Sequence, residues 1–273
     1  MCFSVGRVFN TPRLILAFAL ALATTLLALS GCGSPSSQQL AAPPVPVLPP
    51  AIATPDPVLL FNGTGTSADV SAVEAVLNTL NLSYKTADSS QLDAMSEQQL
   101  AGYKLLIIPG GNSINIGESL SQQTTSNIRG AVQSYGLHYL GLCAGAFFGG
   151  SSIYNGVDLT GGVSFDFYAA EFKGIHEEPV EISLPSSSPL DVYWQDGPQL
   201  SGWGSVVAKY PDGTPAIVEG QSGKGFVIFT GVHPEAPASW RGAMIFTTSE
   251  STDLAYAGTI FQAALSGTPL AHF

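Results

Sequence analysis

Two hydrophobic periods follow one another along this chain, and their order predicts the fold. Val58 to Phe61 is a short apolar run closed by Asn62-Gly63-Thr64-Gly65, a strand leading into a glycine loop. Within Ala68 to Leu82, the apolar residues Val70, Val73, Val76, Leu77 and Leu80 recur at helical spacing, with Ser67 or Asp69 as capping residue. Ser83 to Ala87 reads as a second strand, Leu92 to Tyr103 as a second helical patch, and Lys104 to Pro109 as a buried third strand ended by Gly110-Gly111. Thr124 to Tyr135, with Ile128, Arg129 and Val132 on its faces, is a helix that Gly136 stops. A further apolar run, Tyr139 to Leu142, meets Cys143 and then Ala144, Gly145 and Ala146.

Alternating strands and helices predict a parallel sheet with right-handed crossovers, an α/β fold of the flavodoxin-like, three-layer kind. From Asn155 to Glu219 the pattern changes. Short β-like runs (Val157–Leu159, Val180–Leu184, Val192–Trp194, Val206–Tyr210 and Ala216–Glu219) are separated by turn residues such as Pro185 and Asp212-Gly213. These predict an antiparallel extension. Gly223 to Thr230 returns to the central sheet, and Leu254 to Leu265 forms a closing helix.

The first residues follow neither period. Arg7 and Arg13 precede an apolar run, Leu14 to Leu29, and then Leu29-Ser30-Gly31-Cys32. A basic start, an apolar middle and small residues before a cleavage point describe a secretory signal over residues 1–31. Leu-Ser-Gly-Cys resembles a bacterial lipobox, which implies cleavage before Cys32 and acylation of that residue. The run is shorter than the roughly twenty residues that a membrane span needs. Gly33, rather than Asp, follows the cysteine, so the expected location is the cell envelope, at an outer membrane and facing the periplasm. Residues 32–57 carry eight prolines among Ser, Gln and Ala. They form an extended tether without the means to bury a core. Residues 58–273 are then one domain of ordinary size.

Composition narrows the chemistry. The formal charge is −11, and loss of the signal removes only Arg7 and Arg13, so the processed chain is more acidic still. That argues against nucleic acid as a partner. No cofactor or metal is expected. Of three cysteines, Cys2 leaves with the signal and Cys32 takes lipid, so Cys143 has no disulfide partner. An unpaired thiol in an exported protein points to reactivity.

The context of Cys143 supports that reading. A strand that ends in cysteine and small residues delivers a nucleophile on a sharp strand-to-helix turn. The start of a helix and a nearby histidine would both favour the thiolate, the attacking species. The apolar run Gly225 to Thr230 is followed by Gly231-Val232-His233-Pro234-Glu235. In an extended segment, positions i and i+2 project to one side, and Pro234 biases His233 toward that geometry. Cys143, His233 and Glu235 are therefore the parts of a Cys–His–Glu triad. Oxyanion donors are available from the Ala144 amide and from the Gly110-Gly111 turn. His138, His176 and His272 read as surface or capping residues. Asp166, Tyr168, Tyr193, Trp194 and Trp240 are candidate pocket residues, with Tyr193 and Trp194 favoured and Gly110 beside them. Glu171, Glu177 and Glu178 read as a solvated acidic patch.

GLCAGAFFGG and GVHPE together resemble the class I glutamine amidotransferase superfamily. Within it, the domain at the N-terminus of eukaryotic biotin–protein ligases is the most similar. Its succession of motifs is met by Pro109–Gly111, Tyr139–Ala146, Tyr193–Pro198 and His233–Glu235. The resemblance implies Cys143 as nucleophile, His233 as base, Glu235 as its orienter, and Gly111 with Ala144 as the oxyanion hole. With no synthase or ligase domain to receive ammonia, it does not imply amidotransfer itself. Three functions follow from the residues. One is a thiol-dependent hydrolase of an amide, in a small molecule or peptide. The second is a ligand-binding module that has lost turnover, and the third is a redox or carbonyl-stress protein built on the same cysteine.

Overall fold

The computed structural model describes residues 57–66, 69–242 and 244–273. The expected signal, the tether up to residue 56 and Cys32 lie outside the described residues, as does the candidate cap Ser67.

In chain order the first half contains β1 (Val58–Phe61), α1 (Asp69–Thr79), β2 (Tyr84–Ala87), α2 (Ser89–Asp93), α3 (Glu97–Leu100), β3 (Leu105–Ile108), α4 (Ser113–Glu118), α5 (Gln122–Tyr135), β4 (His138–Leu142) and α6 (Ala144–Gly149). The second half contains β5 (Asp166–Phe167), β6 (Glu177–Ile182), β7 (Leu190–Gln195), β8 (Pro198–Gln199), β9 (Ser205–Lys209), β10 (Pro215–Ser222), β11 (Gly225–Thr230), α7 (Ala238–Arg241) and α8 (Glu250–Ser266).

Seven strands form one sheet in the order β2-β1-β3-β4-β11-β10-β9. The first five run parallel, and β10 and β9 continue the sheet antiparallel. Both faces of the parallel part are covered, which is why its strands read as unbroken apolar runs rather than alternating ones. Successive residues of β1 serve opposite layers: Val58 and Leu60 pack with Val73, Leu77 and Phe261 of α1 and α8, whereas Leu59 and Phe61 pack with Ile128, Val132 and Phe148 of α5 and α6. The result is the expected three-layer α/β sandwich of flavodoxin-like type, with an antiparallel extension.

Two local expectations are corrected. The patch Leu92–Tyr103 is two short helices rather than one, because a capping box starts each of them. Asp88 pairs with Gln91 and Ser96 with Gln99, each side chain bonding the other residue's backbone N–H. Val157–Leu159 is apolar and buried but is not a strand. The amides of Val157 and Leu159 donate to the carbonyls of Phe148 and Gly149 at the end of α6. Burial without periodicity cannot separate such a cap from a strand.

The ribbon β6–β7 stands apart from the main sheet. It buries Val180, Ile182, Val192 and Trp194 against the layer that holds α8. Two bridges tie it to the rest: Tyr193 to His233 after β11, and Ser183, just past β6, to Lys209 of β9.

Candidate functional site

Three neighbouring parallel strands end at the same level. β4 lies between β3 and β11, with Ile108 opposite Gly141 and Leu142 opposite Thr230. The segments just beyond therefore meet: Pro109-Gly110-Gly111 after β3, Cys143 after β4, and Gly231 to Glu235 after β11. Ligands in open α/β sheets gather at this edge.

Cys143 occupies a strained turn, with φ 46° and ψ −101°. A non-glycine residue rarely adopts such a conformation, and it persists only where the surroundings impose it. Here the Cys143 amide donates to the Thr230 carbonyl at 2.8 Å. Two residues on, the backbone of Gly145 packs so closely on the carbonyl oxygen of Ile108 that a Cβ would overlap it. The thiol is 5% exposed, and its Sγ lies 3.5 Å from the Gln195 carbonyl oxygen.

His233 and Glu235 meet as the spacing predicts. His233 Nδ1 is 2.8 Å from Glu235 Oε1, and both residues are buried. The Cys143 sulfur acts on the ring's charge, while its thiol hydrogen-bonds the Gln195 carbonyl. Burial works against charge on this imidazole. The Glu235 carboxylate and the Cys143 sulfur outweigh it and hold the ring well above the usual histidine range. The His233 amide donates to the Tyr193 carbonyl at 2.8 Å. The rings of Tyr193 and Trp240 pack edge-on or tilted about the imidazole, with centroids 5.9 and 5.7 Å away. Aromatic rings thus pack on the imidazole while a carboxylate fixes the nitrogen.

Asp69, expected only as a helix cap, is a member of this site. It begins α1, and its Oδ1 lies 3.8 Å from His233 Nδ1. Burial pushes its carboxyl above the usual range, His233 pulls the other way, and the neighbouring Glu235 adds to the rise. No motif marks it. Only the adjacency of β1 and β3 brings the start of α1 over the HPE segment.

A cleft of about 360 Å³ opens above these groups. Its lining includes Cys143, His233, Asp69, Gly111, Ala144 and Gln195. Gly111 has φ +127°, and a Cβ there would strike the Gly65 carbonyl, so only glycine lets the two loops meet. Among the described residues, neither the Gly111 nor the Ala144 amide donates to a carbonyl, and both residues face the cleft.

The remaining sequence candidates divide. Gly110 lies behind the cleft, against Asp69 and the His233 ring. Tyr193 is buried beside His233, its hydroxyl donating to Glu177 at 2.9 Å. Trp194 is not at the site. Adjacent strand residues face opposite ways, so Trp194 points into the core, fully buried, edge-on to Tyr168, with its indole N–H donating to Gly197. Tyr168 likewise stacks on Tyr210 at 4.0 Å. Glu171, read as solvated, lines the cleft with Asp196, and both reach His176 Nδ1, at 3.1 and 3.0 Å. His138 and His272 bond the Ala264 carbonyl and Glu219, away from the cleft. Among the described residues, no helix is long and apolar enough to cross a membrane.

Comparison with known proteins bears on the fold and on the first half of the domain. Residues 56–175 match the family described as "Biotin-protein ligase, N terminal". A biotin–protein ligase of Schizosaccharomyces pombe is 26% identical over 214 residues, which take in 66% of this chain and 33% of that protein. The match thus spans about a third of the relative's length. Among solved structures, PurLQS from Thermotoga maritima superposes with a TM-score of 0.51 at 14% identity, over 75% of this chain and 97% of that one. At that identity the likeness speaks for the fold. Residues 56–175 resemble the biotin–protein ligase N-terminal family, and the domain shares the α/β fold of PurLQS.

Proposed function

We propose that the protein is a thiol-dependent hydrolase of an amide-type small molecule or peptide, displayed on the cell envelope through acylated Cys32. The observation that carries this reading is the meeting of Cys143, on a strained turn, with the Glu235-bonded His233 in one open cleft. His233 takes the thiol proton and keeps it, because Glu235 stabilises the imidazolium. The sulfur attacks the carbonyl carbon. The oxyanion is met by the Gly111 and Ala144 amides, and His233 returns its proton to the departing amine. Water then releases the acyl group from sulfur, again with His233 as base. The lipid anchor rests on the Leu-Ser-Gly-Cys pattern and the proline-rich segment behind it.

The test is the alkylation rate of Cys143 by iodoacetamide as a function of pH. An ordinary thiol is only about 3% ionised at pH 7. An imidazolium-paired sulfur reacts at pH 7 nearly as fast as at pH 9, and His233→Ala slows the pH 7 rate by about 30-fold. A wild-type rate that climbs tenfold per pH unit from 6 to 8 would remove the nucleophile, leaving a binding module. Labelling with a panel of acyl electrophiles, read by mass spectrometry at Cys143, then identifies the acyl group accepted. Radiolabelled palmitate incorporation, and its loss in Cys32→Ala, tests the anchor.

A further inference from the structure

The walls of the cleft carry more acid than base, with His233 as the basic group in the lining. Asp69, Glu171 and Asp196 line it, and no lysine or arginine does among the described residues. The same space holds an aromatic surface: Phe147 and Phe167 sit with centroids 5.0 Å apart at 58°, and Phe167 is 41% exposed. Nine basic residues in the whole chain, against twenty acidic, leave few distant charges to reverse the local field.

We infer that the cleft selects ligands whose positive charge lies on or beside an apolar body, such as an amide or ester of a basic amino acid or of an amine-bearing aromatic. The inference rests on the proposed role of Cys143, because it takes the space around that sulfur as the substrate's seat. Asp69 is the discriminating residue. Its side chain is 13% exposed, so solvent screens it little, and it stands beside the imidazole that handles the proton. Glu171 and Asp196 are more open to solvent and already share His176. They act on the approaching ligand, raising the local concentration of cations in a concave site. Phe147 and Phe167 receive the apolar part and can face a cation with a ring. An anionic ligand meets three carboxylates, and the basic group of the lining, His233, is already paired with Glu235.

The test uses Cys143 itself as reporter. Three methanethiosulfonates span the charges: trimethylammonium-ethyl, sulfonatoethyl and, smaller and neutral, methyl. Each forms a mixed disulfide with the sulfur and releases methanesulfinate, and each rate is divided by that reagent's rate with a free small thiol. The cation should exceed the anion by at least about tenfold at low ionic strength. Half-molar salt should reduce the ratio. Glu171→Gln and Asp196→Asn, half-buried positions whose amides can still bond His176, should each lower it, and adding Asp69→Asn should bring it near one. Equal normalised rates for cation and anion in the wild type overturn the inference, as does a ratio unchanged in the triple variant. The neutral reagent separates this from the nucleophile reading. A fast neutral reaction with equal charged rates sinks the charge preference alone. A slow neutral reaction with the cation still preferred sinks the activated thiol and leaves the preference standing.

Discussion

His233 Nδ1 stands 2.8 Å from Glu235 Oε1, and the second oxygen of that carboxylate has no hydrogen-bond partner among the described residues. A buried carboxylate with one idle oxygen depends on the imidazolium beside it, and the imidazolium depends on the carboxylate. Glu235→Gln keeps the shape and removes the charge, so alkylation of Cys143 at pH 7 should slow by about tenfold while the melting temperature changes little. Glu235→Ala also strands the histidine and should cost about 3 kcal/mol in urea denaturation. An alkylation rate untouched by Glu235→Gln would detach the glutamate from the thiol's chemistry.

Stability should carry the signature of the same ring. The folded-state pKa of His233 lies above its unfolded value near 6.5. The pairing therefore contributes stability that is complete below pH 6.5 and is lost as pH rises through the folded value. Melting curves of wild type and His233→Gln, taken from pH 6 upward, should converge at high pH. A gap that widens with pH has the wrong sign.

Asp69 carries the opposite consequence for stability. Its folded pKa is raised from 3.8 by burial, so the ionised carboxylate is less favourable folded than unfolded. The penalty is absent below pH 3.8 and appears as pH rises past it. Asp69→Asn should accordingly melt above the wild type at pH 7, with the difference closing toward pH 4, even as it weakens selection of cationic reagents. Stability surrendered at a site for the sake of its chemistry is a known trade. A lower melting temperature for Asp69→Asn at pH 7 would show that the carboxylate supports the fold instead.

Gly145 sets the height of the turn. A Cβ there meets the Ile108 carbonyl, which is backbone within β3 and has no room to give. Gly145→Ala should destabilise by about 2 kcal/mol and displace Cys143 from His233, seen as a loss of alkylation at pH 7 beyond any loss of fold. A variant of normal stability and reactivity would show that the loops relax there at little cost.

Much of this was legible in the chain, for identifiable reasons. Runs such as Leu105–Ile108 announced buried parallel strands because both faces are covered. Cys143, His233 and Glu235 were legible because each follows such a run and the last two are separated by one proline. Trp194 was misplaced because one residue along a strand reverses its face, and the register of β7 depends on a ribbon that the chain does not announce. Asp69 went unread for a different reason: its role comes from strand order, and β1 lies beside β3 only in three dimensions. Glu171 looked solvated because its partners, His176 and Asp196, are brought to it by turns.

The two carbonyls of β7 that touch the site belong to Tyr193, which receives the His233 amide, and Gln195, which sits against the Cys143 sulfur. Alternate residues of one strand thus act as a gauge for the gap between base and nucleophile, at a pitch of about 7 Å that an extended backbone cannot easily alter. Because β6 pairs along one side of this buried strand and Thr247 and Thr248 bond Asp191 near its start, a change in those partners would retune the pair without ever entering the cleft.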